Sequence, residues 1–265
     1  MHFSACLARR GLLLGLVLVS LHAWGGLSRG AEWADTRVIG PFVCHANFPL
    51  TEMERLFADL AQLQSDLMRV LGIPAAQERI EVYLFRDQST YREYVGRYLP
   101  QVPYRRALYV KLHGPGMVFA YRSREFDVDL RHECTHALLH AVLPIVPLWL
   151  DEGLAEYFEV PPAQRAYDNP HLSGVRWAVR FGMSPKLESL EKKSDLSDMG
   201  KAEYRGAWAW VHFMIHGSPD SHDELVRYLR DSLENVPPGQ LSLRLQQRLP
   251  DLAPQFASHF KNWTR

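Results

Sequence analysis

Cysteine is scarce. The 265 residues hold three, Cys6, Cys44 and Cys134, with no CxxC spacing. That excludes a disulfide-framed fold and a thiolate-based zinc site. Cys44 and Cys134 read as two buried free thiols; a disulfide between them is the alternative that an oxidising compartment allows. Neither sign of charge is in excess. Thirty basic residues balance thirty acidic ones and the pI is near 7.2, which argues against a partner held by bulk charge, such as nucleic acid or an anionic membrane surface. Arg105-Arg106 and Lys192-Lys193 read as short solvated charge pairs rather than a nucleic-acid stripe. Repeats and low-complexity linkers are missing too. Long apolar runs are absent except for GLLLGLVLVSL at 11–21, about half of the ~20 residues that span a bilayer as a helix.

That run follows Arg9 and Arg10 and precedes small residues at Ser28, Gly30 and Ala31, so residues 1–30 read as a signal peptide. An uncleaved N-terminal anchor is the alternative. The expectation is export to a periplasm or the extracellular space, with no stable membrane span after cleavage. What remains carries 27 basic against 30 acidic residues. With 47% hydrophobic and 23% charged residues the composition is that of a globular protein.

Residues 36–45 read as an extended segment in which Pro41 marks an edge or a bulge. From 50 to 71, apolar residues recur at three- and four-residue steps and predict one long helix, stopped by Gly72 and Pro74. Strands are expected at 80–85, 107–112 and 117–122, the last two joined by the turn His113-Gly114-Pro115-Gly116, with a short helix at 89–99. From Asp127 onward the spacing is helical. The fold class expected is α+β. A small, mostly antiparallel sheet in a lobe at 31–126 packs on a helical lobe at 127–265, the two forming a single domain over 31–265.

The chemistry is concentrated at His132-Glu133-Cys134-Thr135-His136. Positions i and i+4 share a helix face, so His132 and His136 can present nitrogens to one metal ion. Glu133 is one step around the helix and reaches a metal-bound water rather than the metal. Cys134 points to the opposite side. Catalytic zinc takes three protein ligands plus water. His140 continues the stripe, but at ~1.5 Å per residue it sits about 12 Å along the axis from His132. A better third ligand follows Pro144 and Pro147, where Glu152, Glu156 and Glu159 line one face of an otherwise apolar helix. Acids on a buried face need a charge partner, and a metal with two histidines supplies one. With Glu152 as the ligand, Glu156 or Glu159 is left to accept the outer N–H of a ligand histidine. His212, His216, Trp208 and Trp210 read as structural.

His132-Glu133-x-x-His136 followed by Trp149-Leu150-Asp151-Glu152-Gly153-Leu154-Ala155 resembles the gluzincin zinc metallopeptidases, the peptidase MA-like group that includes relatives of aminopeptidase N. The specific likeness covers about 127–216. It implies a zincin-like fold, one Zn²⁺ per chain held by His132, His136 and Glu152, and Glu133 as the general base. It also implies that Tyr204, in Tyr204-Arg205-Gly206-Ala207, stabilises the oxyanion. The implied activity is hydrolysis of a peptide or protein substrate, laid as an extended strand along 117–122. Two departures stand out: the interval from His136 to Glu152 is short, and no acidic amine-binding motif precedes the zinc helix. The other readings are a non-catalytic, zinc-stabilised binding module and a hydrolase of a non-peptide amide.

Overall fold

The computed structural model describes residues 33–112 and 114–265; the expected signal peptide and His113 of the expected turn lie outside the described residues. Alternating, β-branched and aromatic segments form five strands: β1 (Asp35–Ile39), β2 (Phe42–Ala46), β3 (Ile80–Phe85), β4 (Ala107–Val110) and β5 (Gly116–Tyr121). Their order across the sheet is β1-β2-β3-β5-β4. β2, β3 and β5 run parallel, whereas β1 and β4 are antiparallel to their neighbours. The sheet is therefore mixed rather than mostly antiparallel. The reason lies in the connections. Helix α1 (Glu54–Leu71) carries the chain from β2 to β3 in a crossover that returns it in parallel. Helix α2 (Gln88–Tyr98) carries it from β3 to the edge strand β4, which runs the other way, so the hairpin back to β5 leaves β5 parallel to β3. Only the two tight links make hairpins.

The first hairpin replaces the single extended segment expected at 36–45. Ile39 pairs with Phe42, and Gly40 between them has φ +56°, a conformation glycine adopts without a Cβ clash. The expected 50–71 helix begins as a 3₁₀ turn, Leu50–Met53, before α1 proper. It stops at Gly72, whose left-handed φ of +66° lets its N–H reach the Met68 carbonyl at 3.0 Å.

From Phe126 on, every described element is helical. They are α3 (Phe126–Val142), α4 (Leu148–Phe158), α5 (Pro162–Arg165), α6 (Leu172–Arg180), α7 (Leu187–Leu190), a 3₁₀ turn at Leu196–Asp198, α8 (Lys201–His216), α9 (Pro219–Leu233), α10 (Leu241–Arg248) and α11 (Leu252–Asn262). The fold is α+β, and none of the described helices is long and apolar enough to cross a membrane. The two-residue period of the strands divides the core. Cys44, Val82, Val118 and Ala120 join the main helical core, while Tyr83, Phe85, Leu108 and Phe119 meet Tyr91, Tyr94 and Val95 of α2 on the other face.

Helices α4 and α8 lie unusually close, and Gly153 is the reason. A Cβ there would stand 2.7 Å from the Ala207 carbonyl oxygen. Gly153→Ala should therefore force the helices apart. We expect a loss of about 1–2 kcal/mol, because overpacking against backbone outweighs the ~1 kcal/mol gain in helix propensity. Urea unfolding checks this; an unchanged midpoint would mean that α8 shifts freely.

Candidate metal centre

His132 and Glu133 lie in the second turn of α3 and His136 in the third, in a helix packed across β5 and β4. Prolines at 144 and 147 end that helix and launch α4, which returns Glu152 to the histidine face. All three expected ligands are completely buried. His132 Nε2 and His136 Nε2 are 3.2 Å apart, and Glu152 Oε2 is 3.5 Å from the first and 3.7 Å from the second. The edge of a tetrahedron with bonds of ~2.0–2.1 Å is about 3.3–3.4 Å, so the three atoms have the spacing of ligands around one zinc-sized ion. Among the described residues, neither carboxylate oxygen of Glu152 has a hydrogen-bond partner. A buried carboxylate without donors is costly, and a cation satisfies it.

A carboxylate stands beside each outer nitrogen. His132 Nδ1 is bonded to Glu159 Oε2 at 2.9 Å, and His136 Nδ1 stands 2.9 Å from Asp151 Oδ1. Glu159 thus plays the part the sequence left open between two glutamates. Glu156 instead takes His171 Nε2 at 2.7 Å. Asp151 was not expected here; its other oxygen, Oδ2, lies 2.9 Å from His140 Nε2, so His140 and Asp151 are paired. Outer carboxylates of this kind fix the ring orientation and the tautomer of a ligand histidine.

Electrostatically the pocket asks for positive charge. Burial disfavours protonated His132, yet Glu152 and Glu159 outweigh it and raise its pKa well above the usual value. Burial likewise opposes a charged His136, and Asp151 and Glu152 prevail. Burial would push the Asp151 carboxyl up, but His136 and His140 hold it far below the ordinary carboxylate range. Protons on the histidines and a metal ion are competing answers to the same surplus of carboxylates.

Glu133 and Tyr204 also arrive here. Glu133 is buried on α3, and Tyr204, near the start of α8, is 6% exposed. Burial raises the Tyr204 pKa, and Glu152 and Glu156 add to it, so the hydroxyl stays protonated. A cavity of about 590 Å³ opens against Tyr204, Glu156, Glu159 and His171. Cys134 points into the core, as its helix position requires; it and Cys44 are free, buried thiols.

Two expectations need correction. Strand 117–122 cannot take a peptide by edge pairing, because β5 is flanked by β3 and β4; the sheet ends at β4. Arg105 and Arg106 are not a solvated pair. Arg106 bonds the buried Asp129 at 3.0 Å. Arg105 is half-buried; burial lowers its pKa, while Tyr204, Glu133 and Glu152 pull the other way. Nothing in the local sequence separates this arginine from a surface one, since its importance comes from neighbours far away in the chain.

His212 and His216 are structural, as expected. His212 Nδ1 meets His259 Nε2 at 3.0 Å, its Nε2 meets the Ala166 carbonyl at 2.9 Å, and His216 Nε2 meets the Tyr157 hydroxyl at 2.7 Å. Burial pushes His212 down to about 3, and His216 and His259 to about 4. In the unfolded chain each returns to ~6.5 and takes up its proton first. Stability from this cluster is thus complete above about pH 6.5 and is lost as pH falls toward about 4, by on the order of a few kcal/mol. Denaturant midpoints from pH 8 to pH 4 should fall more steeply for wild type than for His259→Gln; equal slopes would remove the cluster as the cause.

No protein-family model matches the chain, and no curated protein matches it. Among solved structures, an M1 zinc metallopeptidase from Deinococcus radiodurans aligns over 86% of this chain and 51% of its own, at 16% identity and a TM-score of 0.38. A mutant M1 zinc metallopeptidase from the same organism, bound to a Tyr-Ser-Ala substrate, aligns over 88% and 52%, at 16% identity and a TM-score of 0.36. The chain spans about half the length of these proteins. The functional reading rests on the geometry of the site.

Proposed function

We propose that this chain is an exported zinc peptidase of the gluzincin type, with His132, His136 and Glu152 holding one Zn²⁺ and the single domain at 31–265 carrying the whole site. One observation carries the reading. Three buried ligand atoms, one of them from Glu152, stand at tetrahedral spacing, and among the described residues neither Glu152 carboxylate oxygen has a hydrogen-bond partner. Zinc in such a site supplies Lewis acidity and brings the pKa of its water toward ~7. The remaining work belongs to side chains. Glu133 accepts a proton from the attacking water on its carboxylate and returns it to the nitrogen of the leaving amine. Tyr204, kept protonated by its surroundings, donates its hydroxyl hydrogen to the carbonyl oxygen as that oxygen gains charge. Glu159 and Asp151 hold the two imidazoles in place. The products are a carboxylic acid and an amine. A purely structural metal site needs neither Glu133 nor Tyr204, and their burial beside the ligands favours catalysis over a binding module.

The test is metal analysis of the purified chain followed by digestion of a peptide library with and without a chelator. One equivalent of zinc and chelator-sensitive cleavage are expected. A zinc-loaded chain that cleaves nothing would favour the binding module. Tyr204→Phe should keep the metal and the fold and lose on the order of 10²–10³ in turnover, the cost of one oxyanion donor. Full turnover in that variant would take Tyr204 out of the mechanism.

A further inference from the structure

The cavity beside the metal centre carries charges that the proposed chemistry does not use. It shares Glu159 with the ligand shell and Tyr204 with the proposed reaction, and its walls include the beginnings of α6 and α8. Lys201 and Arg205 stand at i and i+4 of α8, on the face that also carries Tyr204, and both line the cavity. Two of the acids that line it are committed, Glu156 to His171 at 2.7 Å and Glu159 to His132 at 2.9 Å. The cations are not. Among the described residues, neither the Arg205 guanidinium nor the Lys201 ammonium has a hydrogen-bond or ion-pair partner. Arg106, Arg165 and Arg244, by contrast, each meet a carboxylate. Opposite in sign and likewise uncommitted among the described residues is Glu125, the residue before α3. Arg205 also has a defined place. It is half-buried, and its side chain lies on the α6 backbone where Gly174 leaves room: a Cβ at 174 would stand 2.7 Å from Nη1 and 3.1 Å from Cδ.

We propose that Arg205, with Lys201 beside it, is the specificity-determining residue of a subsite in this cavity that binds a carboxylate of the substrate. The inference deepens the peptidase reading and rests on it for the class of molecule bound. Tyr204 and Arg205 are consecutive on α8 and border one cavity, so a peptide whose carbonyl meets the Tyr204 hydroxyl has a neighbouring group in that cavity. At about 590 Å³ the cavity is of the size that holds a small ligand. A guanidinium offers five N–H donors in a planar fork that matches a carboxylate in two parallel bonds, and none of the five is used within the described protein. Two uncommitted cations against the one acid Glu125 leave the balance positive, and partial burial of Arg205 strengthens its attraction over that of an open surface. The carboxylate has two sources, an Asp or Glu side chain beside the bond that is cut or the C-terminus of a short peptide.

The test uses the full chain, zinc-loaded and carrying Glu133→Gln so that bound peptides stay intact. The probes are short N-acetylated alanine peptides. One set is amidated and carries glutamate, glutamine or lysine at each internal position in turn; the other compares a free with an amidated C-terminus. By calorimetry an anionic probe should bind about tenfold or more tightly than its neutral twin, and the set that shows this identifies the source. Adding Arg205→Gln should cut that preference to about threefold or less, the share left to Lys201. Arg205→Lys keeps the charge without the fork and should retain only part of it. Gly174→Ala puts a methyl group where the Arg205 guanidinium lies. It should weaken the preference by about threefold while the melting temperature holds or rises, because alanine is the better helix former. Should Arg205→Gln not fold, Gly174→Ala carries the test, and an unchanged preference there overturns the proposal. A preference for the lysine probes would give the cavity to Glu125 and overturn it as well. So would the absence of any measurable preference, or one that survives Arg205→Gln. Equal weakening of anionic and neutral probes by Arg205→Gln would make Arg205 a structural support and end the proposal too. Hydrolysis by wild type is scored separately. Anionic preference without cleavage sinks the peptidase reading and leaves the subsite, whereas cleavage without preference does the reverse.

Discussion

Glu133→Gln should abolish hydrolysis while zinc content and melting temperature stay near those of the wild type. Glu133 lies one step around α3 from His132, about 100° from the ligand direction, and in the proposed mechanism its carboxylate serves the water and not the metal. Glutamine fills the same volume and still hydrogen-bonds, but an amide cannot take the proton. The loss expected is at least the 10²–10⁴ that a positioned general base contributes. Steady-state turnover on any peptide cleaved by the wild type, beside metal analysis and a thermal melt, checks all three quantities. Equal cleavage by the variant would remove Glu133 as the base, and loss of zinc would make it a ligand.

Glu152→Ala should do the opposite and remove the metal itself. Two imidazoles 3.2 Å apart are left without the third ligand, and two ligands do not close the site. Zinc retained after dialysis should fall from one equivalent to near none, with activity lost to the same extent. Stability follows by mass action, since an ion that binds only the folded chain stabilises it. A chelator should therefore lower the melting temperature of the wild type by several degrees, and that of Glu152→Ala hardly at all. Full zinc occupancy in the variant would hand the third position to Asp151 or another neighbour.

The sequence by itself determined the parts of this protein whose geometry is local. An i, i+4 histidine pair shares a helix face wherever the helix goes, so His132 and His136 were legible as partners, and Cys134 as pointing away. Glu152, Glu156 and Glu159 were legible as misplaced acids because an apolar helix makes their burial unavoidable. The positions of β3, β4 and β5 and the α+β order followed from hydrophobic period and punctuation, whereas the β1–β2 hairpin was read as one extended segment. Tertiary structure alone decided everything that depends on which distant segments meet. The mixed sheet and the internal place of β5 are set by crossovers, whose direction no strand encodes. Glu159 rather than Glu156 on His132 and Asp151 behind His136 are choices among chemically equal side chains. Packing makes those choices. The close approach of α4 and α8 over Gly153 is one of them, and it sets where Tyr204 comes to lie. Periodicity reports which face of an element is buried, but it carries no information about what that face will touch.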